Sequence, residues 1–233
     1  GFLERELRER GERAWREAHR RAAELLLERN AGTAALALFV IAGDRNGILT
    51  TLERSGLDQI ERGHAETVAA ALDALDETAL AGHPAALGVR AVIEANRGDV
   101  DVAERCFRDS IVGAPAGYMR LALIHRYALE LVRSDRDCAG LLAPHVNGGA
   151  LPPLWEVLFE GTLATAHARA GRLREAQAVI AVAVDRVEAQ PAPVRARIYQ
   201  QAAYVYQFAS RDRARRAAAS AVELAEGHHD VDV

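Results

Sequence analysis

Evenly spaced interruptions of a helical pattern restrict this chain more than any other feature. Apolar-periodic runs end in helix-breaking or turn-forming residues at Gly63, Gly98, Asp135, Gly171 and the pair Ala209/Ser210, at intervals of 35, 37, 36 and 38 residues. A period of about 34 to 40 residues is that of a two-helix unit, which cannot bury its apolar face alone and must stack on its neighbours. Seven residues before these turns stand Gly56, Ala91, Ala128, Ala164 and Ala202, all small. Five residues after them stand Val68, Ala103, Gly140, Ala176 and Ala214. Each unit is therefore expected to be a hairpin whose two arms approach closely at small side chains.

Larger apolar residues fill the second arms at helical spacing: Leu72 and Leu75, Phe107, Ile180 and Ala183, and Ala218 and Ala221. Punctuation at Gly113/Pro115, Asn147-Gly148-Gly149 and Pro191/Pro193 separates the units, proline being tolerated in a helix's first turn. The spacing predicts helices near 12–29, 33–43, 46–62, 64–77, 83–97, 99–112, 117–133, 136–143, 153–170, 172–188, 193–208 and 211–226, and no strand. The β-branched run at 179–184 lies inside a helical stretch. The expected fold class is all-α, built from stacked antiparallel helical hairpins.

The segment GVRAVIEANRGDVDVAERCFRDSIVGAP resembles a tetratricopeptide repeat, with Ala91, Gly98, Ala103, Phe107, Ser110 and Pro115 where that family has its signature types. LATAHARAGRLREAQAVIAVAV is similar. The unit around Asp135 departs from the pattern, because Pro144 is expected to cut its second helix short. The resemblance implies a right-handed superhelix in which the first helix of each hairpin lines a concave groove.

Residues 2–112 resemble, more specifically, the junction in MalT-type, LuxR-class bacterial regulators where the helical repeats begin. The likeness rests on Phe2, Leu3, His19, Arg20, Arg21, Ala22, Ala23 and the Ala42-Gly43-Asp44 closure of an alanine-rich helix. It implies a linker helix region at 1–30, a repeat domain at 31–233, and covalent neighbours in the form of a nucleotide-binding ATPase domain and a DNA-binding domain. Outside that resemblance, Arg20 and Arg21 read as a solvated stripe and His19 as a packing histidine. The single methionine, Met119, fits a chain cut from a longer protein.

The remaining residues exclude more chemistry than they suggest. All 29 basic residues are arginine, so a P-loop lysine, a Schiff-base lysine and a lysine general base are absent from this segment. A net charge of −4 with interspersed signs argues against direct nucleic-acid contact. Cys106 and Cys138 lack metal or redox spacing and are expected to be reduced packing residues. No nucleotide or metalloprotease motif is present, the Gly-His-His-Asp run at 227–230 is the nearest approach to a metal cluster, and Asp73, Asp76 and Glu77 fit a helix end. No cofactor and no catalytic residue are expected. Without a membrane-length apolar run or a signal-peptide core, the chain is expected to be cytoplasmic.

The function expected is that of a regulatory repeat domain binding a small-molecule effector or a protein or peptide partner within such a regulator. The alternative is a self-contained protein-interaction scaffold. Counting back two, three, six, ten and thirteen residues from each turn gives the groove-facing positions on the tetratricopeptide analogy. Among these, Asn96, His125, Arg133, Thr165, Arg169, Tyr199, Tyr206 and Gln207 carry hydrogen-bonding or charged groups. Arginine can grip carboxylate or phosphate in a fork, and tyrosine offers a rigid amphipathic face. Arg133 and Arg169, just before their turns, can equally neutralise carbonyls at helix C-termini.

Overall fold

The structure is a computed structural model and describes residue 9, residues 11–148 and residues 151–229, the side chains of 227–229 excepted. Phe2, Leu3 and Gly149 lie outside the described residues, as does the metal-ligating capacity of the run at 227–230. Every regular element among the described residues is helical. In chain order these are α1 (Glu12–Glu28), α2 (Gly32–Ala42), α3 (Arg45–Glu61), α4 (Ala65–Asp73), α5 (Glu77–Ala81), α6 (Pro84–Arg97) and α7 (Val100–Gly113). They continue with α8 (Tyr118–Arg133), α9 (Ala139–Asn147), α10 (Pro153–Arg169), α11 (Leu173–Arg186), a 3-10 turn (Val187–Ala189), α12 (Ala192–Tyr206) and α13 (Arg211–His229).

One local device ends six of these helices. Asn30, Gly43, Gly63, Gly98, Asp135 and Gly171 all take the left-handed conformation, with φ between 56° and 88°. The next amide donates to the carbonyl five residues back each time, as in Asp99 to Glu94 (3.0 Å), Arg136 to Leu131 (2.8 Å) and Arg172 to His167 (2.9 Å). This closure satisfies carbonyls that a helix end otherwise leaves bare. Glycine supplies the conformation freely, and aspartate or asparagine tolerates it. Four of the five expected turns are built this way. The fifth is not: α12 ends at Tyr206 without a left-handed residue, and Ser210 and Ala209 both donate to the Tyr206 carbonyl. The second arm is correspondingly out of register, so that Ala217 is buried where Ala218 was expected, and Ala218 is exposed.

The first-arm ladder is buried throughout: Gly56, Ala91, Ala128, Ala164 and Ala202 have no or almost no exposed surface. On the second arms Val68, Ala103 and Ala176 are buried, but Gly140 is exposed and a β-carbon added there would meet nothing. Two helices differ from expectation. The helix expected at 64–77 stops at Asp73, because Asp76 caps a new helix, α5, by accepting the Ala79 amide at 2.8 Å. The helix expected at 136–143 runs instead from Ala139 to Asn147 and passes through Pro144. Asp137 delays its start by accepting the Ala139 amide at 2.8 Å, and Pro144 gives up one backbone hydrogen bond without ending the helix.

The described residues divide into two compact units at Leu123/Ile124, inside α8. In the first, α1 packs along α2, α3 lies against α2, α4 and α6, and α6 packs along α7. Ala23 of α1 is fully buried in the core of this unit. The charged face of α1 carries Arg20 and Arg21 in ion pairs with Glu17, whose carboxyl their hydrogen bonds hold down at about 2. His19 Nδ1 donates to the Trp15 carbonyl at 2.9 Å, and its ring centre lies 4.0 Å from that of Trp15. In the second unit α10 packs on α9, α11 and α12, and α12 packs on α13.

Close approaches between residues about 33 to 40 positions apart in the chain occur in both units. A β-carbon on Gly56 would lie 2.7 Å from the Val89 side chain, and one on Gly88 would lie 2.3 Å from Leu123. In the second unit one on Gly161 would lie 2.2 Å from Gln201 and 2.6 Å from Ile198. Gly56 lets α3 sit directly against α6, and Gly161 lets α10 sit against α12. Ala164, with no exposed surface, belongs to the same seam as Gly161. Ala164→Leu is expected to overpack it and destabilise the protein by about 1–3 kcal/mol. Equilibrium denaturation checks this, and an unchanged midpoint would mean that the site has room.

Candidate functional site

The eight residues singled out from the turn count do not form one site. His125 is 6% exposed and belongs to the core of the second unit. Its Nε2 is 3.1 Å from Thr162 Oγ1, its ring stacks on Phe159, and Trp155 meets it edge-on. Burial, with the positive charges of Arg197 and Arg126, pushes its pKa down to about 3. Position ten before the turns at Gly98, Asp135 and Gly171 is thus a helix seam, occupied by Gly88, His125 and Gly161. α10 shows the consequence: Leu158, Gly161 and Ala168, expected on an open groove, are buried.

The arginines before the turns are engaged with protein groups. Arg169 Nη1 donates to the Val132 carbonyl and to the Asp135 carboxylate, pinning α10 to the turn that closes α8. Arg133 is paired with Glu130 at 2.6 Å on its own helix. The sequence reading that such arginines neutralise helix C-terminal carbonyls describes Arg169, although the carbonyl belongs to a neighbouring helix. Thr165 donates to the Gly161 carbonyl at 2.9 Å. Asn96 and Gln207 are exposed at the ends of α6 and α12. Tyr206 is half-buried with the Arg213 guanidinium 5.8 Å above its ring, and burial raises its phenol pKa.

Tyr199 is the exception, for it lines a cleft. Glu188, Ala192, Arg195, Tyr199, Ser220, Glu223 and Leu224 enclose about 480 Å³. The local sequence explains the arrangement. Pro191 ends the 3-10 turn and starts α12, placing Glu188 beside the first turns of that helix. Arg195 and Tyr199, four residues apart, share a face of α12, and both donate to the Glu188 carboxylate. The Glu188 hydrogen bond holds the Tyr199 phenol above its ordinary value, with burial adding to it. Arg195 Nε is buried without a hydrogen-bond partner. α13 closes the other side with Ser220, Glu223 and Leu224.

This arrangement offers a fork donor, a phenol edge, a hydroxyl and two carboxylates around a small apolar floor. Such groups can hold a polar or charged ligand by hydrogen bonds. Sequence reasoning missed Arg195 and Glu188, because the turn count considers first-arm positions facing a groove, whereas this cleft opens between α12, α13 and the 3-10 turn. The signal available was the Glu-Ala-Gln-Pro stretch, whose proline brings an acidic residue back beside the following helix.

Elsewhere, Cys106 and Cys138 are free and buried, burial pushing Cys138 up to about 12. Asp73 pairs with Arg97 at 3.0 Å, and Asp76 pairs with Arg45 at 2.9 Å in addition to its cap. Among the described residues no three His, Cys, Asp or Glu side chains gather as a metal site, and no helix is long and apolar enough to cross a membrane. Comparison of the chain with protein-family models, with curated proteins and with solved structures gives no match.

Proposed function

We propose that this chain is a non-catalytic helical-repeat module, tetratricopeptide-like in its stacking, that binds an effector or a partner protein within a MalT-type transcriptional regulator. The observation that carries the repeat reading is the recurrence of close approaches one repeat length apart, together with left-handed closures at Gly63, Gly98, Asp135 and Gly171. Such an array holds its side chains on a rigid frame and changes specificity through a few of them. The regulator identity rests on the likeness of residues 2–112 to the MalT-type junction.

The partner surface is the cleft around Arg195 and Tyr199, where an arginine fork and a phenol stand on one helix face. Recognition of an acidic or polar peptide there exchanges the internal Glu188 contacts for contacts with the partner. Partner capture with the whole chain, repeated with Tyr199→Ala and Arg195→Ala at unchanged helicity, tests this. A loss of about tenfold or more in affinity is expected for either variant. Full binding by both would move the site elsewhere. The coding sequence on either side separates the two settings: an upstream P-loop and a helix-turn-helix domain support a regulator, whereas a start and a stop bracketing the chain support the self-contained scaffold.

A further inference from the structure

The first unit holds a second cleft, of about 400 Å³, where the turn after α1 meets the C-terminal half of α3. Its floor contains a short hydrogen-bond chain. Gln59 Nε2 donates to Ser55 Oγ at 2.8 Å, and Ser55 Oγ donates to the Thr51 carbonyl at 3.2 Å. A serine hydroxyl has one hydrogen, and it is committed to Thr51, so Ser55 can only accept from Gln59. In this arrangement the atom left over is Gln59 Oε1. It is buried without any partner, in a residue only 4% exposed. An orphaned buried acceptor costs free energy until a donor reaches it. The backbone at Gly32 presses on the same groups: a β-carbon there would lie 2.8 Å from Ser55 Oγ and 3.1 Å from Gln59 Nε2.

Charge of both signs surrounds this acceptor. Arg54, Asp58 and Arg62 follow at four-residue spacing along α3 and its cap, and all three line the cleft. Spacing of that kind pairs Glu17 with Arg21 on α1. Here no ion pair forms among the three side chains, leaving two guanidinium groups and a carboxylate available. Leu27 is the one aliphatic side chain of the larger kind in the lining, and no phenyl, phenol or indole ring contributes to it. The His64 imidazole is the one ring in the lining, and polar or charged side chains make up most of the rest. The complement of this lining is a small molecule, polar on all sides, that carries an anionic group and cationic hydrogen-bond donors.

We propose that this cleft binds a free α-amino acid. The carboxylate is held by the Arg54 and Arg62 guanidinium groups. The ammonium is held by the Asp58 carboxylate and supplies the hydrogen bond that Gln59 Oε1 lacks. The proposal does not depend on the partner cleft, which lies in the other unit.

Thermal unfolding and titration calorimetry of the whole chain with each of the free proteinogenic L-amino acids at millimolar concentration test it. Each hit is compared with its deaminated carboxylate and its decarboxylated amine. At least one amino acid is expected to raise the midpoint and titrate, and both truncated analogues are expected to lose the effect. Arg62→Ala is expected to weaken binding by about tenfold or more. Gln59→Leu is expected to abolish binding while the unliganded protein keeps or gains stability, since the orphan acceptor has gone. Tyr199→Ala, which tests the partner cleft, is expected to leave amino-acid binding unchanged. Absence of any shift with the wild-type chain would overturn the proposal, as would equal binding of the deaminated carboxylate or wild-type affinity in Gln59→Leu.

Discussion

Phe159→Ala is expected to lower the unfolding free energy by about 3–5 kcal/mol, the range for emptying a buried aromatic site. Phe159 has no exposed surface and joins three helices. The His125 ring of α8 stacks against it at 5.8 Å, the His145 ring of α9 meets its face edge-on at 5.7 Å, and Trp155 of α10 packs across it at 5.9 Å. Removing the ring leaves each of these without its partner. The surrounding helices are already tight at Gly161 and Ala164, so the site has little freedom to collapse. Chemical denaturation followed by circular dichroism checks this. A loss below about 1 kcal/mol would mean that the aromatic cluster is loose.

Acid is expected to destabilise the chain through His125 over a window that begins well above the carboxylate range. The folded-state pKa lies near 3, against 6.5 for the free side chain, because burial and the nearby Arg197 and Arg126 disfavour the imidazolium, while a backbone hydrogen bond at Leu158 opposes them weakly. Between those values the unfolded chain binds a proton that the folded chain refuses. Stability is therefore complete above about pH 6.5 and is lost as pH falls towards 3. Glu160 works in the opposite direction, since burial raises its pKa and the folded state takes up its proton early. His125→Phe isolates the histidine. The variant's denaturation midpoint is expected to fall less steeply than that of the wild type between pH 6.5 and 4, and identical slopes would show that His125 charges freely in the folded state.

Much of the helical pattern was legible because it is local. The turn at Gly98 illustrates why: helix termination needs a residue that tolerates positive φ, and glycine or aspartate announces that tolerance in the sequence. The small residues at Ala91, Ala128, Ala164 and Ala202 were legible for a related reason, since a buried crossing excludes volume and the chain records the exclusion as alanine. The same reasoning misjudged Gly140, which is small but exposed, because smallness is compatible with a crowded site and an empty one alike. Pro144 was misjudged because one lost hydrogen bond does not outweigh the packing of the remaining helix, whose Leu142 is fully buried.

By itself, the sequence determined the all-helical class, the helix ends that close on a left-handed residue and the small-residue register of the first arms, since each follows from backbone geometry or volume within a few residues. The tertiary structure alone decided which polar side chains are available. His125 and Arg169 carry binding chemistry in the sequence, yet one is enclosed by aromatic rings and the other is committed to Val132 and Asp135. Gln59 and Arg195 drew no notice in the sequence, yet each retains a buried polar atom without a partner beside a cleft. The physical reason is that a polar group's availability depends on whether residues distant in the chain have already met its hydrogen-bonding capacity, and that is settled only when helices a repeat length apart come together.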